Sequence, residues 1–185
     1  MYNEAALEID QANVEEPSEF LVNNLDLIPK GRVLDLAMGG GRNAVFMARN
    51  GYEVEGVDIS ADVAASALRL ATRHGVTIKA KVANLEQDYK ITPLKYEAII
   101  CFNYLQRSLI NSIMTGIKKG GVVIYETYII DQAELGKPKN PDHLLKHNEL
   151  LTMFRGFRCL RYREGIFNSE HGQKALAGIV AQKTD

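Results

Sequence analysis

Two rhythms of apolar side chains alternate along this chain. Residues 32–37 carry Val33, Leu34 and Leu36 in a short apolar run that reads as a strand. From Arg42 to Asn50 the apolar set Ala44, Val45, Met47 and Ala48 falls on one helical face, and Gly51 follows where a left-handed cap costs least. Tyr52–Asp58 alternates as a second strand, and Ser60 is placed to cap an alanine-rich helix over 61–74 that stops before Gly75. Thr77–Val82 and Glu97–Phe102 read as strands. Ser108 then opens a helix carrying Leu109, Ile110, Ile113, Met114 and Ile117, with Lys118 and Lys119 at its negative end. Gly120-Gly121 turns into a strand over 122–127, and the tail holds two further strand patterns, Phe157–Glu164 and Ala175–Gln182, with no helical pattern between them. Ahead of all this, Pro17-Ser18 starts a helix bearing Phe20, Leu21, Val22 and Leu25, broken at Pro29-Lys30-Gly31. Strands alternating with helices imply parallel strands joined by crossovers, so an α/β sheet of seven strands is expected, mostly parallel and finished by an antiparallel hairpin. At 185 residues the chain holds one core, and a single domain over 1–185 is expected, with residues 1–17 as an N-terminal arm.

The first strand ends in an acid and runs straight into glycines, "KGRVLDLAMGGGRNA". Residues 39–44 satisfy GxGxxA between a strand and a helix, and Asp58 stands at the end of the next strand. Glycines there give a tight turn and let backbone approach a bulky ligand, and the second acid suits two neighbouring ribose hydroxyls; together they indicate a nucleoside. A nicotinamide dinucleotide and S-adenosylmethionine (SAM) both fit such a turn. Asp35 favours SAM, because a further carboxylate would repel a pyrophosphate, whereas SAM carries a sulfonium and an ammonium and no phosphate.

The spacing DxxxGxG at Asp35, Gly39 and Gly41, followed by "GVDIS" at 56–60, resembles the motifs of class I SAM-dependent methyltransferases, and the order of elements matches over nearly the whole chain. The resemblance implies a Rossmann-like, doubly wound sheet and a cofactor site built from Asp35, Ala37, Gly39, Gly41, Arg42, Asn43, Asp58, Ile59, Asn84, Leu85 and Asn103. Asn84, in "VANLEQ", would meet the adenine edge; Asn103 and Tyr104, in "CFNYLQR", would face the side where the methyl group is delivered. Ala37 departs from the family, which usually has glycine there, so either that backbone angle is ordinary or the loop is altered. "GRNAVFMARNGYEVEGVDIS" and the small size are similar to the tellurite-resistance and thiopurine-type branch, which implies a small-molecule acceptor, S-adenosylhomocysteine as the product, and transfer by in-line displacement. An NAD-binding oxidoreductase and a non-catalytic SAM-binding module are the alternatives. Tyr104, Arg107, Glu126 and Tyr128 fall at the C-terminal ends of the fourth and fifth strands, where open α/β sheets bind ligands, and are the candidate catalytic residues.

Composition narrows the partners. A net charge of −1 disfavours nucleic acid and anionic membrane surfaces, and no apolar run reaches the roughly 20 residues that cross a bilayer. With no basic, apolar leader, a cytoplasmic protein is expected. Cys101 and Cys159 sit in strand-like apolar settings and read as buried, reduced thiols. His143 and His147 stand four apart without a third ligand at a diagnostic spacing, so no metal site is expected. The proline-stiffened stretch around "KPKNP" suggests that residues 131–148 form a lid or substrate loop.

Overall fold

The computed structural model describes residues 16–87, 89–169 and 172–184. Of the arm expected over 1–17, only Glu16 and Pro17 lie among them. Among the described residues, seven strands form one sheet in the order β3-β2-β1-β4-β5-β7-β6. They are β1 (Arg32–Leu36), β2 (Glu53–Asp58), β3 (Lys79–Val82), β4 (Tyr96–Phe102), β5 (Ile117–Tyr128), β6 (Arg158–Ser169) and β7 (Gly172–Gln182). β1 to β5 pair in parallel, and β7 runs antiparallel between β5 and β6. The mostly parallel, doubly wound sheet with a terminal hairpin is thus present.

Helices α1 (Glu19–Val22), α2 (Arg42–Arg49) and α3 (Ala61–Arg73) accompany one face of the sheet; α4 (Ile110–Gly116) and α6 (Glu149–Met153) cover the other. A short α5 (Gln132–Leu135) follows β5. Val33 joins one core with Phe20, Met47, Ala67 and Ile100, while its neighbour Leu34 joins the other with Ile99, Ile113, Tyr125 and Phe154. A strand buried on both faces loses the polar alternation of a surface strand, which is why β1 reads as a nearly continuous apolar run. Ser60 caps α3 as its sequence indicates, accepting from the Val63 amide at 3.3 Å. The alanines of α3 have a packing reason: a Cβ on Gly41 would lie 2.6 Å from the Ala67 Cβ, so the glycine loop and α3 meet closely.

Several expectations are corrected. α4 ends at Gly116 rather than running through Ile117, and Ile117 pairs with Tyr96 as the start of β5. The Thr115 and Gly116 carbonyls accept from the Leu94 and Lys95 amides at 3.0 and 2.9 Å, which stops the helix. Lys118 therefore sits in a strand, paired with Glu97, instead of at a helix end. The first helix is one turn, with a 3-10 turn at Leu25–Leu27 where its continuation was expected. β3 starts at Lys79, two residues late, and the hairpin strands extend to Ser169 and from Gly172. Cys101 is buried, but Cys159 is exposed, because β6 is the edge strand and no layer covers that position. Among the described residues, no helix is long and apolar enough to cross a membrane.

Candidate functional site

The loop after β1 reverses direction through three left-handed residues, Ala37 (φ 52°), Gly39 (φ 56°) and Gly41 (φ 85°). Gly41 is glycine because Ala67 crowds it. Gly39 and Gly40 have another reason: a Cβ at either would meet nothing within 4 Å, so backbone faces open space that a ligand can approach. Ala37 does adopt the positive angle that glycine would take more cheaply, with its methyl packed against the core.

Asp58, at the tip of β2, holds this loop. Its Oδ2 accepts from the Gly39 amide at 2.9 Å and its Oδ1 from the Ser60 amide at 3.1 Å. Each carboxylate oxygen keeps a further lone-pair direction, so the same group can bind the loop and receive vicinal hydroxyls. Ile59, beside it, is 65% exposed, an apolar surface at the β2 edge. Asn84 follows β3, which pairs with β2 in register from Glu55–Lys79 to Asp58–Val82. The Asn84 Oδ1 accepts from the Glu86 amide at 2.9 Å, and Leu85 is buried beneath.

Asp35 lies under the loop rather than at its mouth. It is 1% exposed, and its Oδ2 has no hydrogen-bond partner among the described residues. Burial pushes its carboxyl up to about 8; the Asp58 charge acts in the same direction, while the Arg42 charge and the Ala44 amide oppose. A nearly dry, unsatisfied carboxyl beneath a loop of open amides fits a cationic group far better than an anionic one. The open glycine backbone, the two acids and the apolar Ile59 together fit SAM.

The remaining expected residues split by what they already hold. The Arg42 Nη1 donates to the Glu16 carbonyl at 3.1 Å, and the buried Asn43 accepts from the Ser18 amide at 2.8 Å, so the chain ahead of α1 crosses the start of α2. Asn103 is exposed, left-handed at φ 56°, and its amide donates to the Glu126 carbonyl at 2.9 Å. The Tyr104 carbonyl accepts from the Tyr125 hydroxyl at 2.7 Å, and burial raises its own hydroxyl to about 12. Tyr128 is half-buried and burial raises it too. Arg107 grips Glu149 at 2.7 and 3.0 Å and donates to the Asp142 and Leu144 carbonyls, both at 2.9 Å; it fastens the 141–149 segment. That segment, the second half of the expected lid, is further anchored by the buried Leu144 and Leu145 and by a bridge from Leu145 to Ile129. His147 pairs with Asp131 at 2.5 Å, and among the described residues no three groups able to hold a metal come together.

Glu126 is 5% exposed. Its Oε2 accepts from Arg163 Nη2 and Nε at 2.6 and 2.8 Å, and its Oε1 from the Ser18 hydroxyl at 3.2 Å. Burial raises its carboxyl, with Arg163 and Ser18 opposing. Arg163 is sandwiched between the Phe20 and Phe167 rings, 4.7 and 4.6 Å from their centroids. Gly178 makes room, since a Cβ there would sit 3.0 Å from Phe20 and 3.1 Å from Glu126. Above this lies a cleft of about 170 Å³ that Phe102, Asn103, Arg42, Phe167, Lys174 and Leu176 help to line. Ser18, Arg163, Phe167 and Lys174 were not foreseen. The one signal available was the Arg163–Phe167 alternation on a single strand face, which is silent about the neighbour that strand joins.

Residues 33–121 match a family model described as a methyltransferase domain. The ubiquinone biosynthesis O-methyltransferase of Aeromonas salmonicida is 30% identical over 101 residues, 52% of this chain and 42% of that protein. The chain spans about two fifths of the length of the curated relatives it matches first. Among solved structures, TehB from Haemophilus influenzae superposes with a TM-score of 0.74 at 20% identity, covering 88% of this chain and 61% of TehB. A SAM-dependent methyltransferase from Methanosarcina mazei gives 0.66 at 17% identity, with 91% and 98% covered. Residues 33–121 thus match a methyltransferase-domain model, and the sheet order of the chain is the fold of these solved methyltransferases.

Proposed function

We propose that the chain acts as a single methyltransferase domain in the cytoplasm, moving a methyl group from SAM to a small-molecule acceptor by in-line displacement. The observation that carries this reading is the pairing of an open glycine backbone with two acids of different character: Asp58, partly exposed and hydrogen-bonded to the loop, and Asp35, buried and without a full set of partners. Bound there, SAM supplies a methyl on a sulfonium, a leaving group that needs no further activation.

The protein's own residues then position and exclude. Asp58 would take the ribose hydroxyls while holding Gly39, so sugar binding and loop shape are set by one group. Ile59 and Leu85 would border the adenine, with the Asn84 side chain at its polar edge. Asp35 would favour the cationic end. Asn103, left-handed and with its amide on the Glu126 carbonyl, lines the cleft over β5 and would border the cofactor from there. Holding nucleophile, carbon and sulfur in line and shutting out water supplies most of the rate in such a reaction.

Isothermal calorimetry tests this directly. S-adenosylhomocysteine is expected to bind and NAD not to bind; the reverse result would install the oxidoreductase alternative, which Asp35 opposes. Transfer of labelled methyl to a library of small acceptors separates an enzyme from a module that only binds SAM.

A further inference from the structure

Two acids are buried among the described residues, and they are kept in opposite ways. Glu126 faces the Arg163 guanidinium, and both of its oxygens are taken. Asp35, on β1, forms no ion pair among the described residues, and its Oδ2 meets no donor there. Burying an ionised carboxyl without a cation or a full set of donors is so costly that such a group holds a proton instead.

The groups around Asp35 do not reverse this. Arg42, on α2, is a favourable charge, but its Nη1 donates to the Glu16 carbonyl at 3.1 Å. The Ala44 amide, also on α2, supplies one donor, and Asp58, at the tip of β2, adds a like charge. The Cys101 thiol, nearby on β4, is itself kept protonated by burial. Burial outweighs the favourable groups and pushes the Asp35 carboxyl up to about 8. Over it, the Gly39 and Gly40 backbone faces open space. A cation lodged against that loop would be separated from Asp35 by backbone and little water, where attraction is weakly screened. SAM and S-adenosylhomocysteine both carry such a cation, the ammonium of their amino-acid end. 5′-Methylthioadenosine has the same nucleoside and a thioether, and no ammonium.

Resting on the methyltransferase reading above, we propose that Asp35 makes cofactor binding a proton exchange: entry of the ammonium expels the proton that the buried carboxyl holds in the unliganded protein. The carboxyl O–H bond breaks, its electron pair stays on the carboxylate, the proton passes to solvent, and the bound ammonium supplies the positive charge in its place. Asp35 is thereby a pH-sensitive gate on the cofactor, which is held more weakly in acid because each binding event must displace a proton. The gate lies on β1, apart from the acceptor, and acts on the cofactor alone.

Isothermal calorimetry at pH 6.5 and pH 8.5, each in two buffers of different ionisation enthalpy, counts the protons released. With S-adenosylhomocysteine, about one proton is expected at pH 6.5 and less than about half a proton at pH 8.5, and affinity is expected to rise at least tenfold from the lower pH to the higher. 5′-Methylthioadenosine is expected to release none at either pH. Asp35→Asn is expected to release none with S-adenosylhomocysteine and to lose the pH dependence of its affinity; a cooperative melting transition shows that D35N is folded. No release by S-adenosylhomocysteine, equal release by the two ligands, or a release that persists in D35N overturns the proposal. If D35N does not fold, the contrast between the two ligands in the parent protein decides. Failure of S-adenosylhomocysteine to bind removes the methyltransferase reading and this inference with it, whereas binding without proton release removes this inference alone.

Discussion

The Gly39 amide donates to the Asp58 carboxylate at 2.9 Å, so the loop after β1 is fastened to the tip of β2. One side chain thereby sets the shape of the crevice and presents a hydroxyl acceptor. Asp58→Ala removes both functions. With charge-assisted hydrogen bonds worth about 1.5–3 kcal/mol each, S-adenosylhomocysteine affinity is expected to fall roughly ten- to hundredfold. Calorimetry reads this, and an unchanged dissociation constant contradicts the assignment of Asp58 to the ribose.

Asp35 is held up at about 8 in the folded protein by burial, against 3.8 as a free carboxyl. Between those values the folded state binds the proton and the unfolded state does not. The associated stability is therefore fully present below about pH 4 and is lost as pH rises toward 8. Asp35→Asn keeps the shape and removes the titration. In the ligand-free protein it is expected to raise the melting temperature more at pH 8 than at pH 5 and to flatten the pH dependence between them, while weakening S-adenosylhomocysteine. A parallel pH profile for parent and D35N would mean that Asp35 is ionised throughout.

Ala37 holds φ at 52°, a conformation that costs an L-residue about 1 kcal/mol or more. Ala37→Gly is expected to stabilise the fold by roughly 0.5–1 kcal/mol after the added freedom of the unfolded glycine is deducted. Urea denaturation measures it; a destabilised A37G would show that the methyl's packing against the core outweighs the strain.

Arg163 neutralises a carboxylate that is 5% exposed. Arg163→Ala leaves Glu126 buried and unpaired, and is expected to cost about 3–5 kcal/mol. Adding Glu126→Gln should recover much of that loss, so the double variant melts above the single one. If both variants melt alike, the pair is not the source of the cost.

The architecture was legible because its signals are local. Ser60, Gly51 and Gly75 mark helix ends, the apolar runs of β1 and β4 announce strands covered on both sides, and GxGxxA names the turn between β1 and α2. Boundaries failed where tertiary contacts decide. Nothing near Ile117 says that Leu94 and Lys95 will take the last carbonyls of α4, and nothing near Cys159 says that its strand will lie at the sheet edge. The positions of the residues proposed to face a nucleoside were readable for the same reason as the fold, since they follow strands in order. Asp35 was visible, but its dryness was not, because that depends on α2 folding over it. The surroundings of Glu126 were only partly in reach: Glu126 stands out by its place on the fifth strand, but its partner Arg163 lies on β6 and reaches it only because β7 inserts between β5 and β6.

That insertion has a consequence for biosynthesis. The five parallel strands leave the ribosome first, carrying the glycine loop and both acids, while β6 has no hydrogen-bonded neighbour until residues 172–182 emerge and slide into the gap. A nascent chain thus carries the whole parallel half of its sheet, glycine loop included, before the antiparallel strand that ties β6 to β5 exists.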